Sequence, residues 1–144
     1  MDNQFDLTWQ GEMAFRAEPP SGNGFTMDAY ADSGGQNLGP TPLEAFLSSV
    51  AACTAMDVIS ILKKKQQKVS GYQVRVEWER GPEGEYPRPV TAIRLTHIVT
   101  GEAIDPAAVQ RAIELSDEKY CAVAATLRIS PPIKTGFEIV APVA

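Results

Sequence analysis

Apolar and polar residues alternate at the start of the chain, which predicts strands before any helix begins. Apolar side chains occupy every second position in residues 5–9 and again at 13–15, on either side of a Gly11-Glu12 turn. This arrangement is typical of a β-hairpin. We expect a third strand over residues 25–30, followed by a loop rich in Gly, Pro, Ser and Asn.

A long helix is predicted after this loop, because the apolar spacing changes to three and four residues. Thr41 and Pro42 suit the N-cap and the first turn of a helix, and the lysines at 63–65 suit its C-terminal end, where cations interact favourably with the helix dipole. Small residues fill most other positions of 45–61, so nearly the whole circumference is suited to burial. We therefore expect a central helix.

Period-two alternation returns after residue 71 and predicts two long strands. Residues 72–79 and 93–99 each keep apolar side chains on one face and polar ones on the other, and a polar turn separates them. They are expected to form an antiparallel pair with one face towards water.

The last part of the chain is predicted to contain two shorter helices and a strand. Asp105-Pro106 marks a helix start, a turn opens at residues 116–118, a short helix follows at 122–127, and a terminal strand is expected at 136–140. Since strands and helices do not alternate regularly, the pattern predicts one α+β domain over residues 1–144, with antiparallel sheets around a long, buried central helix.

Charge and composition narrow the classes of partner. The chain has 144 residues, with 13 Lys and Arg against 18 Asp and Glu, and a net charge of −5. Without a basic excess, nucleic acid is not an expected partner. No uninterrupted apolar run approaches the roughly 20 residues of a membrane span, and the N-terminus does not resemble a signal peptide. We expect a cytoplasmic protein without a membrane partner.

Two cysteines, Cys53 and Cys121, are the main candidates for chemistry. Two are too few for a secreted disulfide scaffold, and they lack the spacing of a zinc site. Cys53 lies among small residues in the predicted central helix, and such a thiol is either packing or reactive. Cys121 follows a predicted helix break, where backbone N–H groups are expected to lower its pKa. Their spacing in the sequence does not establish that they meet.

The segments around these cysteines resemble the OsmC/Ohr superfamily, the osmotically inducible and organic hydroperoxide resistance proteins. Residues 39–64, containing GPTPLE, AAC and DVISILKK, are similar to the central helix of that family. Residues 98–123, containing IVTG and EKYCAV, are similar to its second half and most similar to its YhfA-like branch. The resemblance is strong over residues 39–128 and looser at the termini.

The resemblance implies an intertwined homodimer and a two-cysteine peroxidase. By similarity, Cys53 attacks a hydroperoxide and becomes a sulfenic acid, and Cys121 then forms a disulfide that an external dithiol or reducing protein reduces. An apolar pocket would favour organic hydroperoxides, and no metal or organic cofactor is expected. The alternative is a non-enzymatic dimer that responds to redox change or binds a hydrophobic ligand.

The groups that would activate Cys53 depart from the family pattern. Relatives have a glutamate ten residues before the first cysteine, working with an N-terminal arginine; here Leu43 holds that position and Glu44 follows it. At about 100° per residue, Glu44 lies on roughly the opposite side of a straight helix from Cys53. It therefore acts either across a bend or from the partner subunit, or it only stabilises the first turn. Arg16 is the candidate arginine, or else a solvated strand residue.

Asp57 lies one helical turn after Cys53, on the same face of the predicted helix. A carboxylate on an apolar face needs a partner, and beside a thiolate it would raise the thiol pKa and slow its attack. As a supporting site candidate, Asp57 is therefore either paired with a cation or hydrogen-bonded to the backbone, or the site is tuned for something other than fast peroxide reduction. His97, the only histidine, shares a strand face with apolar residues, and we interpret it as structural.

Overall fold

The computed structural model describes residues 3–134, 136–140 and 142, and within them two antiparallel sheets and three α-helices follow one another along the chain. The elements are β1 (Asp6–Trp9), β2 (Phe15–Glu18), β3 (Phe25–Met27), α1 (Pro42–Lys64), β4 (Lys68–Arg80), β5 (Val90–Glu102), α2 (Pro106–Leu115) and α3 (Ala122–Ile129). A π-helical turn, Ser116–Tyr120, joins α2 to the residue before α3. The α+β class predicted from the sequence is confirmed.

The N-terminal sheet has the order β1-β2-β3. The predicted hairpin is present, with Trp9 opposite Phe15 and positive φ at both Gly11 and Glu12 in the turn. The third strand ends at Met27, earlier than predicted, because the next side chain organises a loop. Asp28 is only 2% exposed, and its carboxylate accepts hydrogen bonds from the backbone N–H groups of three loop residues, which are Ala29, Gln36 and Leu38.

A capping box fixes the start of α1 at the end of this loop. The Thr41 hydroxyl accepts from the Glu44 N–H at 3.2 Å, and the Glu44 carboxylate accepts from the Thr41 N–H at 2.8 Å. Just before the capping box, the chain passes so close to β3 that a Cβ on Gly39 would lie 2.0 Å from the Thr26 carbonyl oxygen. The predicted N-cap is therefore confirmed. By fixing where α1 begins, it also determines which side chains of the helix face the core.

One face of α1 is buried within the chain, rather than nearly its whole circumference as the sequence suggested. The buried residues recur every three or four positions, at Leu47, Val50, Ala51, Thr54, Val58 and Leu62. Met56, on another face, is 69% exposed. By length and composition α1 is apolar enough to cross a membrane, but this buried stripe is that of a core helix.

The hydrophobic core joins α1 and α2 to the long hairpin of β4 and β5. Val58 and Leu62 of α1 pack with Ala108 and Ala112 of α2, and side chains from both strands border them, including Val69, Tyr72 and Val99. The strands pair antiparallel from Lys68 opposite Glu102 to Arg80 opposite Val90, which confirms the predicted pair.

The predicted terminal strand at residues 136–140 is wrong. These residues form no strand, and Phe137, Ile139 and Val140 are each more than four-fifths exposed. Alternation alone does not make a strand, which also requires a neighbouring strand for its backbone hydrogen bonds. Among the residues that the structure describes, none pairs with this segment.

Candidate active site

Cys53 lies half-buried in the middle of α1, where small side chains surround it. Two of its neighbours on α1, Ala52 and Ala55, line an open groove of about 330 Å³ against β4. The other wall is formed by side chains of β4, including Val74 and Val76. The small residues noted in the sequence thus leave space between α1 and β4, but Cys53 is not among the residues that line this groove.

Cys121 lies at the junction between the π-helical turn and α3. Its N–H donates to the Ser116 carbonyl oxygen at 2.9 Å, five residues back, which is the bond that defines a π turn. Cys121 is the N-cap of α3, and its sulfur accepts from the Ala124 N–H at 3.4 Å. The thiol is only 4% exposed.

The fold brings Cys53 and Cys121 together, although they are 68 positions apart in the sequence. Both are free thiols, and the Cys53 thiol is near enough to Cys121 to raise the pKa of the Cys121 thiol. α1 carries one thiol and the π turn presents the other. This contact between distant segments is the central feature of the candidate site.

The pKa of the Cys121 thiol is raised, whereas the sequence predicted that a helix N-terminus would lower it. Burial is the largest cause of the rise; the Cys53 thiol and the Asp57 carboxylate add to it. The Ala124 N–H does lower the pKa, as expected of a helix start, but less than burial raises it. The expected effect of the helix start is present, but burial outweighs it, and burial depends on tertiary packing, which the local sequence does not reveal.

Among the residues that the structure describes, Asp57 is held by a side-chain hydroxyl, and no cation or backbone group holds it. The Ser116 hydroxyl oxygen lies 2.7 Å from Asp57 Oδ2 and 2.9 Å from Thr54 Oγ1. Because a serine has one hydroxyl proton and an ionised carboxylate only accepts, Ser116 donates to Asp57 and accepts from Thr54. Ser116 is fully buried and Thr54 is 4% exposed, so the bond between them is shielded from water, whereas Asp57 is half-buried.

Glu44 and Arg16 are engaged elsewhere within the chain. The Glu44 carboxylate closes the capping box and accepts from the Tyr30 hydroxyl at 2.9 Å, and these bonds to Thr41 and Tyr30 lower its pKa. Nine residues of helix separate it from Cys53, about 13.5 Å at 1.5 Å per residue. Arg16 on β2 pairs with Glu18 at 2.6 Å. Among the described residues, no hydrogen bond or ion pair joins either side chain to the thiols.

His97 and Tyr72 form a second polar pair, at the edge of the core. The Tyr72 hydroxyl and His97 Nδ1 are 2.6 Å apart, and burial lowers the pKa of His97 and raises that of Tyr72 to about 12. His97 borders an open groove of about 610 Å³ between β5 and α2, whose walls include Val99 and Val109. In the described part of the chain, no group of three His, Cys, Asp or Glu side chains is placed to hold a metal ion.

Comparisons with known proteins identify the family. The sequence model of the OsmC-like proteins matches residues 34–136. This chain belongs to the OsmC-like family. It is 40% identical over 138 residues to Protein YhfA of Escherichia coli K12, an alignment that covers 96% of this chain and 98% of that protein. The family resemblance predicted from the sequence is confirmed.

Solved structures confirm the OsmC-like fold. A hypothetical protein from Aquifex aeolicus VF5 has a TM-score of 0.74 and 28% identity, with 90% of this chain and 89% of that chain covered. An organic hydroperoxide resistance protein OsmC from Legionella pneumophila has a TM-score of 0.61 and 14% identity, with 89% and 91% covered.

Sequence reasoning missed two members of the site in this OsmC-like protein, Thr54 and Ser116. A signal for Thr54 existed, because Thr54 and Asp57 are three residues apart and share a helix face. Ser116 gave no comparable signal, since its partners lie 59 and 62 positions away.

Proposed function

We propose that this OsmC-like protein is a thiol-dependent peroxidase, with Cys53 as the peroxidatic cysteine and Cys121 as the resolving cysteine. The observation that carries the proposal is the proximity of two free thiols, one on α1 and one at the end of the π turn, which lie close enough for Cys53 to raise the pKa of Cys121. The Legionella relative of the same fold is described as a hydroperoxide resistance protein, which agrees with this assignment.

The reaction uses these two thiols, a hydroperoxide and an external reductant. The Cys53 thiolate attacks the O–O bond of the hydroperoxide; a sulfur–oxygen bond forms, the O–O bond breaks, and the leaving alkoxide takes a proton from water. Cys121 then attacks the sulfenic acid, so that a disulfide forms and water leaves. A dithiol or a reducing protein restores both thiols. The proposal includes no metal or organic cofactor.

The proposal includes an organic substrate. Alanine and valine side chains line much of the groove between α1 and β4, where an alkyl or aryl hydroperoxide would bury apolar surface and hydrogen peroxide would not; Cys53 itself does not line this groove. Among the described residues, Glu44 and Arg16 make no hydrogen bond or ion pair with Cys53 within one chain. In the proposed reaction, Glu44 and Arg16 act on Cys53 only from a partner subunit.

A homodimer is part of the proposal, because one chain leaves much apolar surface exposed. Leu7 and Trp9 of β1 are more than half exposed, as are Phe137 and Ile139 near the C-terminus. A second copy would cover such surface. The proposed setting is the cytoplasm, where thiol reductants are available, with no role for nucleic acid or a membrane.

The test is turnover with cumene or tert-butyl hydroperoxide and a dithiol. Wild-type protein should consume the peroxide, and Cys53→Ser should reduce consumption to the rate of buffer alone. Cys121→Ser is the matched control, since it removes the other thiol: it should react once and leave a sulfenic acid that dimedone traps. Equal peroxide consumption by wild type and Cys53→Ser would refute the proposal.

A hydrophobic-ligand-binding protein is the second candidate, favoured by the groove of about 610 Å³ between β5 and α2. This volume is within the range of small-molecule sites, and its lining is mainly apolar. Native mass spectrometry of the purified protein should then reveal extra mass that persists in Cys53→Ser. A spectrum at the mass of the polypeptide alone argues against this function.

A further inference from the structure

The hydrogen-bonded side chains Thr54, Ser116 and Asp57 connect the helix that carries Cys53 to the turn that ends at Cys121. Ser116 is the residue common to both connections. Its hydroxyl bonds to Thr54 and Asp57 on α1, and its carbonyl oxygen accepts the Cys121 N–H at 2.9 Å. One buried residue therefore fixes both the Asp57 carboxylate and the Cys121 backbone.

This connection sets a negative charge beside the resolving thiol. In the described part of the chain, the charged or titratable groups that act on Cys121 are Cys53 and Asp57, both from α1, while α3 contributes the Ala124 N–H. Oxidation to a sulfenic acid removes the Cys53 thiol. The Asp57 carboxylate remains beside Cys121.

Resting on the proposed function, we propose that Asp57, held by Ser116, is a positioning residue that delays the attack of Cys121 on oxidised Cys53. The attacking species is a thiolate, and a neighbouring carboxylate opposes the loss of the thiol proton. Oxidised Cys53 therefore persists at neutral pH, and disulfide closure accelerates as the pH rises. The carboxylate exchanges no atom or electron in this step.

The closure step is measurable without any peroxide. Treatment with Ellman's reagent places thionitrobenzoate on the half-exposed Cys53; attack by Cys121 then forms the Cys53–Cys121 disulfide and releases coloured thionitrobenzoate. The release rate is followed from pH 5 to 10 in wild type and in Asp57→Asn. The asparagine retains an oxygen that accepts the Ser116 hydrogen bond but removes the charge.

We expect Asp57→Asn to close the disulfide roughly 3- to 10-fold faster near pH 7, with the midpoint of the pH profile moved to lower pH. Asp117→Asn is the matched control: Asp117 follows Ser116 directly but acts on His97, so its removal should leave the profile unchanged. Asp57→Glu keeps the charge and should keep a midpoint near that of wild type.

Two results would overturn the inference. Slower closure in Asp57→Asn would mean that the carboxylate accepts the Cys121 proton, and an unmoved midpoint would mean that its charge has no influence. As a second readout, the pH dependence of Cys121 alkylation is measured in Cys53→Ser and in the double variant Cys53→Ser/Asp57→Asn. The midpoint should lie at lower pH in the double variant. If peroxide fails to oxidise Cys53, the proposed function is lost, but both measurements still decide the role of Asp57.

Discussion

Removing the Ser116 hydroxyl should destabilise the fold markedly, because two polar partners lose a buried contact at once. Ser116 is fully buried, and its oxygen lies 2.7 Å from the Asp57 carboxylate and 2.9 Å from the Thr54 hydroxyl. In Ser116→Ala the void is small, so the lost hydrogen bonds should dominate the change in free energy of unfolding.

The expected loss follows from the two bonds. A hydrogen bond to a charged group contributes about 1.5–3 kcal/mol and a bond between neutral groups about 0.5–1.5 kcal/mol. Asp57 is half-buried, so water recovers part of its loss. We therefore expect Ser116→Ala to lower the free energy of unfolding by about 2–3 kcal/mol, in the lower half of the summed range.

Urea denaturation at one fixed protein concentration measures this loss, and Ser60→Ala, an exposed serine on α1, is the control. The control should stay within about 0.5 kcal/mol of wild type. A double-mutant cycle with Thr54→Val should give a coupling of about 0.5–1.5 kcal/mol, since each single change breaks the same bond. A Ser116→Ala curve that overlays the Ser60→Ala curve, or a coupling of zero, would refute the hydrogen-bonded chain.

Three further predictions concern the capping box, the lone histidine and the core. Thr41→Ala should cost about 1 kcal/mol in urea denaturation, because it removes the N-cap of α1, and a cost near zero would contradict the capping box. An NMR titration of the His97 imidazole should give a pKa below the ordinary value of 6.5, because the ring is partly buried. Since the unfolded chain then binds that proton more readily than the fold does, stability should decrease as the pH drops below about 6.5; His97→Gln should remove this contribution, and an unchanged pH dependence would count against it. Leu62→Ala should cost about 2–5 kcal/mol, because Leu62 is fully buried, whereas the exposed neighbour Lys63→Ala should change stability by less than about 0.5 kcal/mol; similar effects from the two would contradict the described core.

The helix starts and the long hairpin could be predicted from the sequence, because local chemistry determines them. Thr41 and Asp105 each accept a backbone N–H within three residues, just before a proline in the first helical turn. The alternation of apolar and polar residues in β4 and β5 likewise indicates which face of the hairpin packs against the core. Such features need no knowledge of distant residues.

The electrostatics of the site depended on contacts that the sequence does not record. For Cys121, the predictable effect of a helix start is present, yet burial outweighs it. For Asp57, the partner is a serine 59 positions away, which neither spacing nor composition identifies. The prediction of a terminal strand was wrong for the same reason, since a strand needs a neighbouring strand to pair with, and alternation does not show whether one is present.

The π-helical turn makes the number of residues before Cys121 as important as their identity. The four residues between Ser116 and Cys121 are exposed, so their side chains should tolerate substitution. Deleting any one of them would replace the bond across five residues with an ordinary helical one across four, and would rotate the thiol by about 100° around the axis. Such a deletion should disable the pair as thoroughly as the loss of Cys121, while leaving both cysteines in the sequence. In engineering this protein, the length of that segment should therefore be kept constant.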